Sequence, residues 1–257
     1  MPDVNATVLA LGAVIALAAA VRGTWSPCGQ SMLSQITPIG EASRGNRYRT
    51  TALWYVAGSV LGGLSLGAVM ALLASVVHAL DVSFTVALAI ASGVAMLGAI
   101  VDSGVLGFAP PFFLRQVNED WLGKYRAWLY GSGFGWQVGA GVATYIMTAA
   151  VFVTIAFGAL GASPIAALVL GGGFGLARGL TVYLTARAHN TAELFAIHRK
   201  FDALGEPVRR AVIVVQLAVG VVAIGLAAGI VAALVATLIA GGMLFLSRLR
   251  APSAVDA

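Results

Sequence analysis

Hydrophobic residues run along this chain in long blocks without the alternation of a strand. Polar and charged residues are confined to short stretches between them. About 20 apolar residues are needed for a helix to cross about 30 Å of hydrocarbon. Blocks of that scale occupy residues 4–21, 52–77, 84–108, 128–157 and 165–186, and a last run of 37 residues covers 211–247. That run is too long for one comfortable crossing and barely enough for two, so a break near Gly229 is expected. The predicted fold is an all-α, polytopic membrane bundle of six or seven transmembrane helices. A three-plus-three inverted repeat would divide it at residues 1–114 and 115–229, leaving an extra span at 230–247. The whole of 1–257 then forms a single transmembrane domain.

Composition strengthens this reading. Of the 257 residues, 60% are hydrophobic and 10% charged, and the mean hydropathy is +0.94. A soluble domain carries about 25% charged residues, because its surface must face water. In lipid the backbone must satisfy its own hydrogen bonds, which leaves helices or closed barrels. The unalternating blocks of Ala, Leu, Val and Gly select helices.

The net charge of +5 does not point to nucleic acid, because the basic residues are clustered between the apolar blocks. Arg44, Arg47 and Arg49 lie in the first connection; Arg115, Lys124 and Arg126 lie in the third. Arg187, Arg199, Lys200, Arg209 and Arg210 surround the fifth. The second and fourth connections carry no Lys or Arg. By the positive-inside rule, connections one, three and five face the cytoplasm and the N-terminus lies outside the plasma (inner) membrane. Arg248 and Arg250 are cytoplasmic only with seven spans. Met1-Pro2-Asp3 lacks the positive start of a cleavable signal peptide, so the first block reads as a retained span.

Residues 190–206 read as an amphipathic surface helix. Asn190 and Glu193 have capping-box spacing, and Leu194, Ile197, Phe201 and Leu204 follow at helical intervals, opposite Arg199, Lys200 and Asp202. Such a helix suits a membrane surface or serves as a solvated connector. Glycines four apart, as in Gly58–Gly62, Gly63–Gly67, Gly131–Gly135–Gly139 and Gly171–Gly175–Gly179, allow close helix approach.

Candidate chemistry gathers at two places. Residues 22–38 hold Pro27, Cys28, Gln30 and Pro38 among glycines and hydroxyls, with no acid before Glu41. Proline frees backbone carbonyls, and transporters bind substrates at broken helices near the midplane; an ordinary cytoplasmic loop is the alternative. The Gly131–Gly139 stretch, with Trp136 and Gln137, repeats the theme at the same point of the second half. Two ionisable residues, Asp102 and Arg178, fall in apolar runs. An intramembrane charge is costly and needs a partner or a watery cavity. They could pair with each other, or snorkel from span ends. Pro27, Gln30, Gln137, Asp102 and Arg178 form the candidate substrate-binding set. Cys28 is either a small apolar filler or a reactive thiol. It is the sole cysteine, so no intrachain disulfide exists. The histidines form no metal-ligand spacing with it, and no metal or cofactor is expected.

The Ser26-Pro27-Cys28 turn and the Gly133-Phe134-Gly135-Trp136 segment resemble the transmembrane family of cytochrome-c-biogenesis and disulfide-reductase proteins, within the lysine-exporter superfamily. That resemblance implies a six-span plan, with export of a small solute or electron transfer through paired cysteines. Only the first cysteine is matched, by Cys28. The second would fall near residues 135–139, and Ser31 stands where the family has a proline. A dithiol is needed for an internal shuttle. The resemblance therefore favours a small secondary transporter or exporter of a small solute or ion. The alternatives are a thiol-disulfide protein in which Cys28 acts catalytically with a partner's cysteine, and an accessory subunit of a membrane complex. Lipid, a small solute or ion and a partner membrane or thiol-redox protein are the expected partners.

Overall fold

A computed structural model describes residues 2–107, 110, 115–117, 119–161 and 163–249, with no side-chain description at 2–5 and 246–249. Arg250 and the side chain of Arg248, which bear on the seven-span reading, lie outside the described residues. Eleven α-helices occur among the described residues: α1 (Pro2–Gly23), α2 (Pro27–Gln35), α3 (Pro38–Ser43), α4 (Tyr48–Ala79), α5 (Phe84–Ser103), α6 (Trp121–Lys124), α7 (Ala127–Gly139), α8 (Ala150–Leu160), α9 (Pro164–Leu180), α10 (Thr191–Ala228) and α11 (Ile230–Leu249). A short 3₁₀ turn, Thr181–Thr185, extends α9. Among the described residues, five helices are long and apolar enough to cross a membrane: α1, α4, α5, α9 with its 3₁₀ turn, and α10. Shorter apolar helices lie at Ala150–Leu160 and Ile230–Phe245. The arrangement is compatible with a membrane helix bundle.

Local chemistry accounts for the boundaries. Ser26, Thr37, Ser83, Ser163 and Asn190 each cap the following helix with a side-chain oxygen that accepts a backbone N–H of its first turn. Proline opens α2, α3 and α9, where its missing N–H costs nothing. Gly229, at φ 85°, separates α10 from α11, which is the break expected in the final run.

Two stretches fold differently from their hydrophobic pattern. The fourth block is interrupted: α7 ends at Gly139, residues 140–149 are irregular, and α8 begins at Ala150. The amphipathic segment is continuous with the span that follows it, since α10 runs 38 residues from the Asn190 cap and passes through Pro207. At 1.5 Å per residue this helix far exceeds the hydrocarbon thickness. Its first half leans on the α1–α2 junction. Trp25 stacks on Phe201 with ring centroids 4.2 Å apart and donates from Nε1 to the Phe201 carbonyl at 2.8 Å. Arg22 donates to the Gly205 carbonyl at 3.2 Å, and Ser34 Oγ lies 2.9 Å from His198 Nε2.

Helix α4 is the centre of the bundle, flanked by α7 and α9. These contacts are backbone to backbone. A Cβ on Gly58 would lie 2.0 Å from the Ser132 carbonyl oxygen, and one on Gly63 would lie 2.2 Å from that of Gly171. Ser59 Oγ donates to the Gly175 carbonyl at 2.7 Å across the same seam.

A methyl group at this seam must push two helices apart. Gly63→Ala is expected to destabilise the protein by about 1–3 kcal/mol, the usual cost of overpacking. Gly93→Ala meets nothing within 4 Å on its helix and should be neutral or stabilising by up to about 1 kcal/mol. Unfolding of the two variants in detergent micelles would check the opposite signs.

Candidate functional site

The first interruption lies between α1 and α2. Their sequence-adjacent ends are joined by Thr24, Trp25 and Ser26. The Ser26 Oγ accepts the Gly29 N–H at 3.0 Å, and Pro27 occupies the first position of α2. This turns the chain sharply and directs Cys28 inward. The residue is 1% exposed, and its Sγ donates to the Arg115 carbonyl at 3.7 Å. Gln30 is half-buried near the start of α2, and its carbonyl accepts the Ser34 hydroxyl at 2.9 Å.

The second interruption is not at residues 131–137, which are helical within α7, but at residues 140–149. The reason is packing: Gly131, Gly135 and Gly139 are turned toward Thr51, Tyr55 and Ser59 of α4, a contact that a regular helix makes best. Gln137 is half-buried on α7, and among the described residues no hydrogen bond joins it to Gln30. Gly141, with φ 71°, turns the chain out of α7. The Thr144 hydroxyl is buried in the irregular stretch and has no partner among the described residues.

Asp102 and Arg178 are both buried, at 5% and 2% exposure, and they do not meet. The Asp102 carboxylate joins three helices. It accepts from the Thr148 hydroxyl, from the Ala149 N–H at 2.7 Å and from Gln216 Nε2 at 2.7 Å. It thereby caps the start of α8 and ties it to α5 and α10. Arg209 donates to its backbone carbonyl at 2.9 Å, and a cavity of about 50 Å³ lies between Asp102, Arg22, Thr148 and Arg209. With its lone pairs taken locally, Asp102 has little to offer a distant cation. Arg178 instead reaches the end of α1, where Nη2 donates to the Gly23 carbonyl at 3.3 Å. Its guanidinium carbon is 5.8 Å from the Phe174 ring centroid. A Cβ on Gly23 would lie 2.2 Å from Nη1, so the glycine makes the space that the guanidinium fills.

A third polar cluster has no counterpart among the candidates drawn from the sequence. Glu41 is fully buried and accepts from Arg44 Nη2 at 2.7 Å, Thr51 Oγ1 at 2.6 Å and the Tyr130 hydroxyl at 2.7 Å. Its partner Arg44 lines a cleft of about 850 Å³, bordered also by Asn46, Trp54, Glu119, Arg126 and Trp128. Glu41 sits in a polar stretch, so hydropathy carries no sign of its burial. Gln216 does carry a signal, being an amide inside the final apolar run. Among the described residues no group of three metal-ligating side chains is found.

No family model matches the chain, and no solved structure matches it. Similarity is found to curated proteins named methylamine utilization protein MauF. The chain is 32% identical over 160 residues to that of Methylorubrum extorquens, covering 60% of this chain and 55% of the relative. It is 32% identical over 178 residues to that of Methylobacillus flagellatus, covering 66% and 60%. It is 28% identical over 185 residues to that of Paracoccus versutus, covering 70% and 66%. The chain therefore spans between about half and two thirds of the length of these relatives. These findings correct the resemblance drawn from Ser26-Pro27-Cys28 and Gly133-Phe134-Gly135-Trp136: the relatives are methylamine utilization proteins, and neither a lysine-exporter nor a cytochrome-c-biogenesis family is indicated. A proline-cysteine turn and a glycine-rich helix meet general needs of helix breaking and packing, so they do not mark one family.

The Asp102 network makes a quantitative expectation. Asp102→Ala leaves Thr148, the Ala149 N–H and Gln216 without their buried acceptor, which should cost roughly 3–5 kcal/mol. Asp102→Asn keeps the shape but turns an N–H₂ toward a donor, and should cost about 1–3 kcal/mol. Denaturant titration of the purified variants in micelles would measure both, with the order Ala worse than Asn.

Proposed function

We propose that this chain is an accessory membrane protein of methylamine utilization, acting beside a partner protein in the plasma membrane. The observation that carries the reading is its similarity, across 60–70% of the chain, to proteins bearing that name. The reading also suits the shape of the molecule. The first half of α10 presents exposed Phe195 and Leu204 above the hydrophobic part of the same helix, a surface that a partner could engage.

This places the accessory role ahead of the transporter expected from the two helix breaks. No compared protein is named as a transporter. Thiol exchange through Cys28 also falls behind, since a residue that is 1% exposed offers a partner disulfide no line of attack. We read α7 and α8 as one interrupted crossing, because both pack along α4. With α11 this makes seven crossings, with the N-terminus outside and connections one, three and five in the cytoplasm.

Disruption of the gene in its own host should abolish or strongly slow growth on methylamine while leaving growth on another carbon and nitrogen source intact. Restoration by the full chain completes the test, and undisturbed growth on methylamine would refute the reading. For the topology, single cysteines introduced into a Cys28→Ser background should be labelled from the outer face at Asp81 and only after permeabilisation at Asn46. The reverse pattern would invert the orientation.

A further inference from the structure

We propose that the cleft at the starts of α4 and α7 binds the phosphate of an anionic phospholipid headgroup, held by Arg44 and Arg126 beside Trp54 and Trp128. The proposal does not depend on the methylamine reading. From the orientation proposed above it takes only the leaflet, the cytoplasmic one.

Helices α4 and α7 run parallel, since Gly131, Gly135 and Gly139 meet Thr51, Tyr55 and Ser59 in step. Both therefore start on the same face of the bundle, and the cleft of about 850 Å³ lies at those starts. A cleft of this size accommodates a small organic ligand. Its lining includes two guanidinium groups, Arg44 and Arg126, with the Asn46 and Thr50 side chains beside them. Arg44 donates from Nη2 to the Gln35 carbonyl and to Glu41, while its Nε has no partner among the described residues. Arg126 is exposed, and none of the ion pairs among the described residues includes it. Arg47 and Arg126 occupy the cap positions of α4 and α7, and no side chain caps either helix. Their first-turn N–H groups and positive dipole ends reinforce the two lining arginines. Among the described lining residues the acid is Glu119, which already accepts the Ser31 hydroxyl. The cleft therefore favours an anion, and arginine forks match the oxygens of a phosphate.

The rim of the cleft points to a lipid as the source of that phosphate. Trp54 and Trp128 are 44% and 49% exposed, with ring centroids 6.3 Å apart. They lie in the first two turns of α4 and α7, and tryptophans at span ends sit at headgroup level. A phospholipid can keep its acyl chains in the apolar layer beside these indoles while its phosphate reaches the arginines. A free phosphate ion gains nothing from the indoles. The stretches that lead into the two helices, residues 36–50 and 115–127, carry six basic residues and three acidic ones. That balance attracts the anionic lipids of the cytoplasmic leaflet.

The test titrates the full chain, purified in detergent micelles, with dioleoylphosphatidylglycerol. Dioleoylphosphatidylcholine at the same mole fraction and inorganic phosphate at matched ionic strength are the comparisons. Phosphatidylglycerol should raise the melting temperature saturably and shift the tryptophan emission, and neither comparison should give a saturable response. Arg126→Gln, at an exposed position, should raise the half-saturating phosphatidylglycerol fraction about tenfold, as loss of a hydrogen bond to a charged group does. Arg199→Gln, which removes an exposed cation from the first half of α10, should leave that fraction unchanged. Equal responses to the two lipids would overturn the anionic headgroup. A saturable response to inorganic phosphate, with none to phosphatidylglycerol, would overturn the lipid source. A response unchanged in Arg126→Gln, or weakened equally in Arg199→Gln, would overturn the cleft as the site.

Discussion

The close approach of α4 to α7 and α9 sets the terms for the rest of the molecule. Lipid chains are as apolar as leucine side chains, so helices in a bilayer gain little from burying bulk and associate through fitted contacts. Gly58, Gly62, Gly63 and Gly67 bring α4 against backbone atoms of its neighbours with no side chain between. The remaining helices are arranged about this three-helix core, α1 against α8 and α9, and α5 against α10.

Such a core leaves little space for polar groups, and those present are concentrated where helices stop. Asp102 serves the open start of α8, Arg178 the open end of α1, and Glu41 the turn from α3 into α4. Asp102 supplies the acceptor that a helix start lacks and Arg178 a donor for a helix end, whereas Glu41 joins side chains of α3, α4 and α7. The three differ in completeness. Asp102 and Glu41 each accept from three neighbouring donors, whereas Arg178 is held by its contact with the Gly23 carbonyl and the Phe174 ring.

Much of the secondary structure is legible in the sequence because its causes are local. Asn190 with Glu193, and Gly229, act within a few residues of themselves, and they start and stop α10 where their chemistry requires. The interruption of the fourth block lies away from its expected place for the opposite reason. A glycine-rich segment with Gln137 looks like a break in one dimension. In the folded chain those glycines are the contact face of a regular helix, and the chain opens only after Gly139. The candidate residues divide similarly: Asp102, Arg178 and Gln216 stand out as polar groups in apolar runs, while Thr148 does not, being an ordinary residue until a distant carboxylate is placed beside it.

The sequence by itself determined the class of the molecule. Long unalternating apolar blocks permit helices and little else in lipid, and caps, prolines and glycines mark most of their ends. Only the tertiary structure decided which groups meet. Asp102 is linked to residues 46 and 114 positions away, and Arg178 to one 155 positions away. Partnership over such separations depends on helix rotation and depth, which are set by backbone contacts at glycines and have no periodic signature in the residues that finally touch.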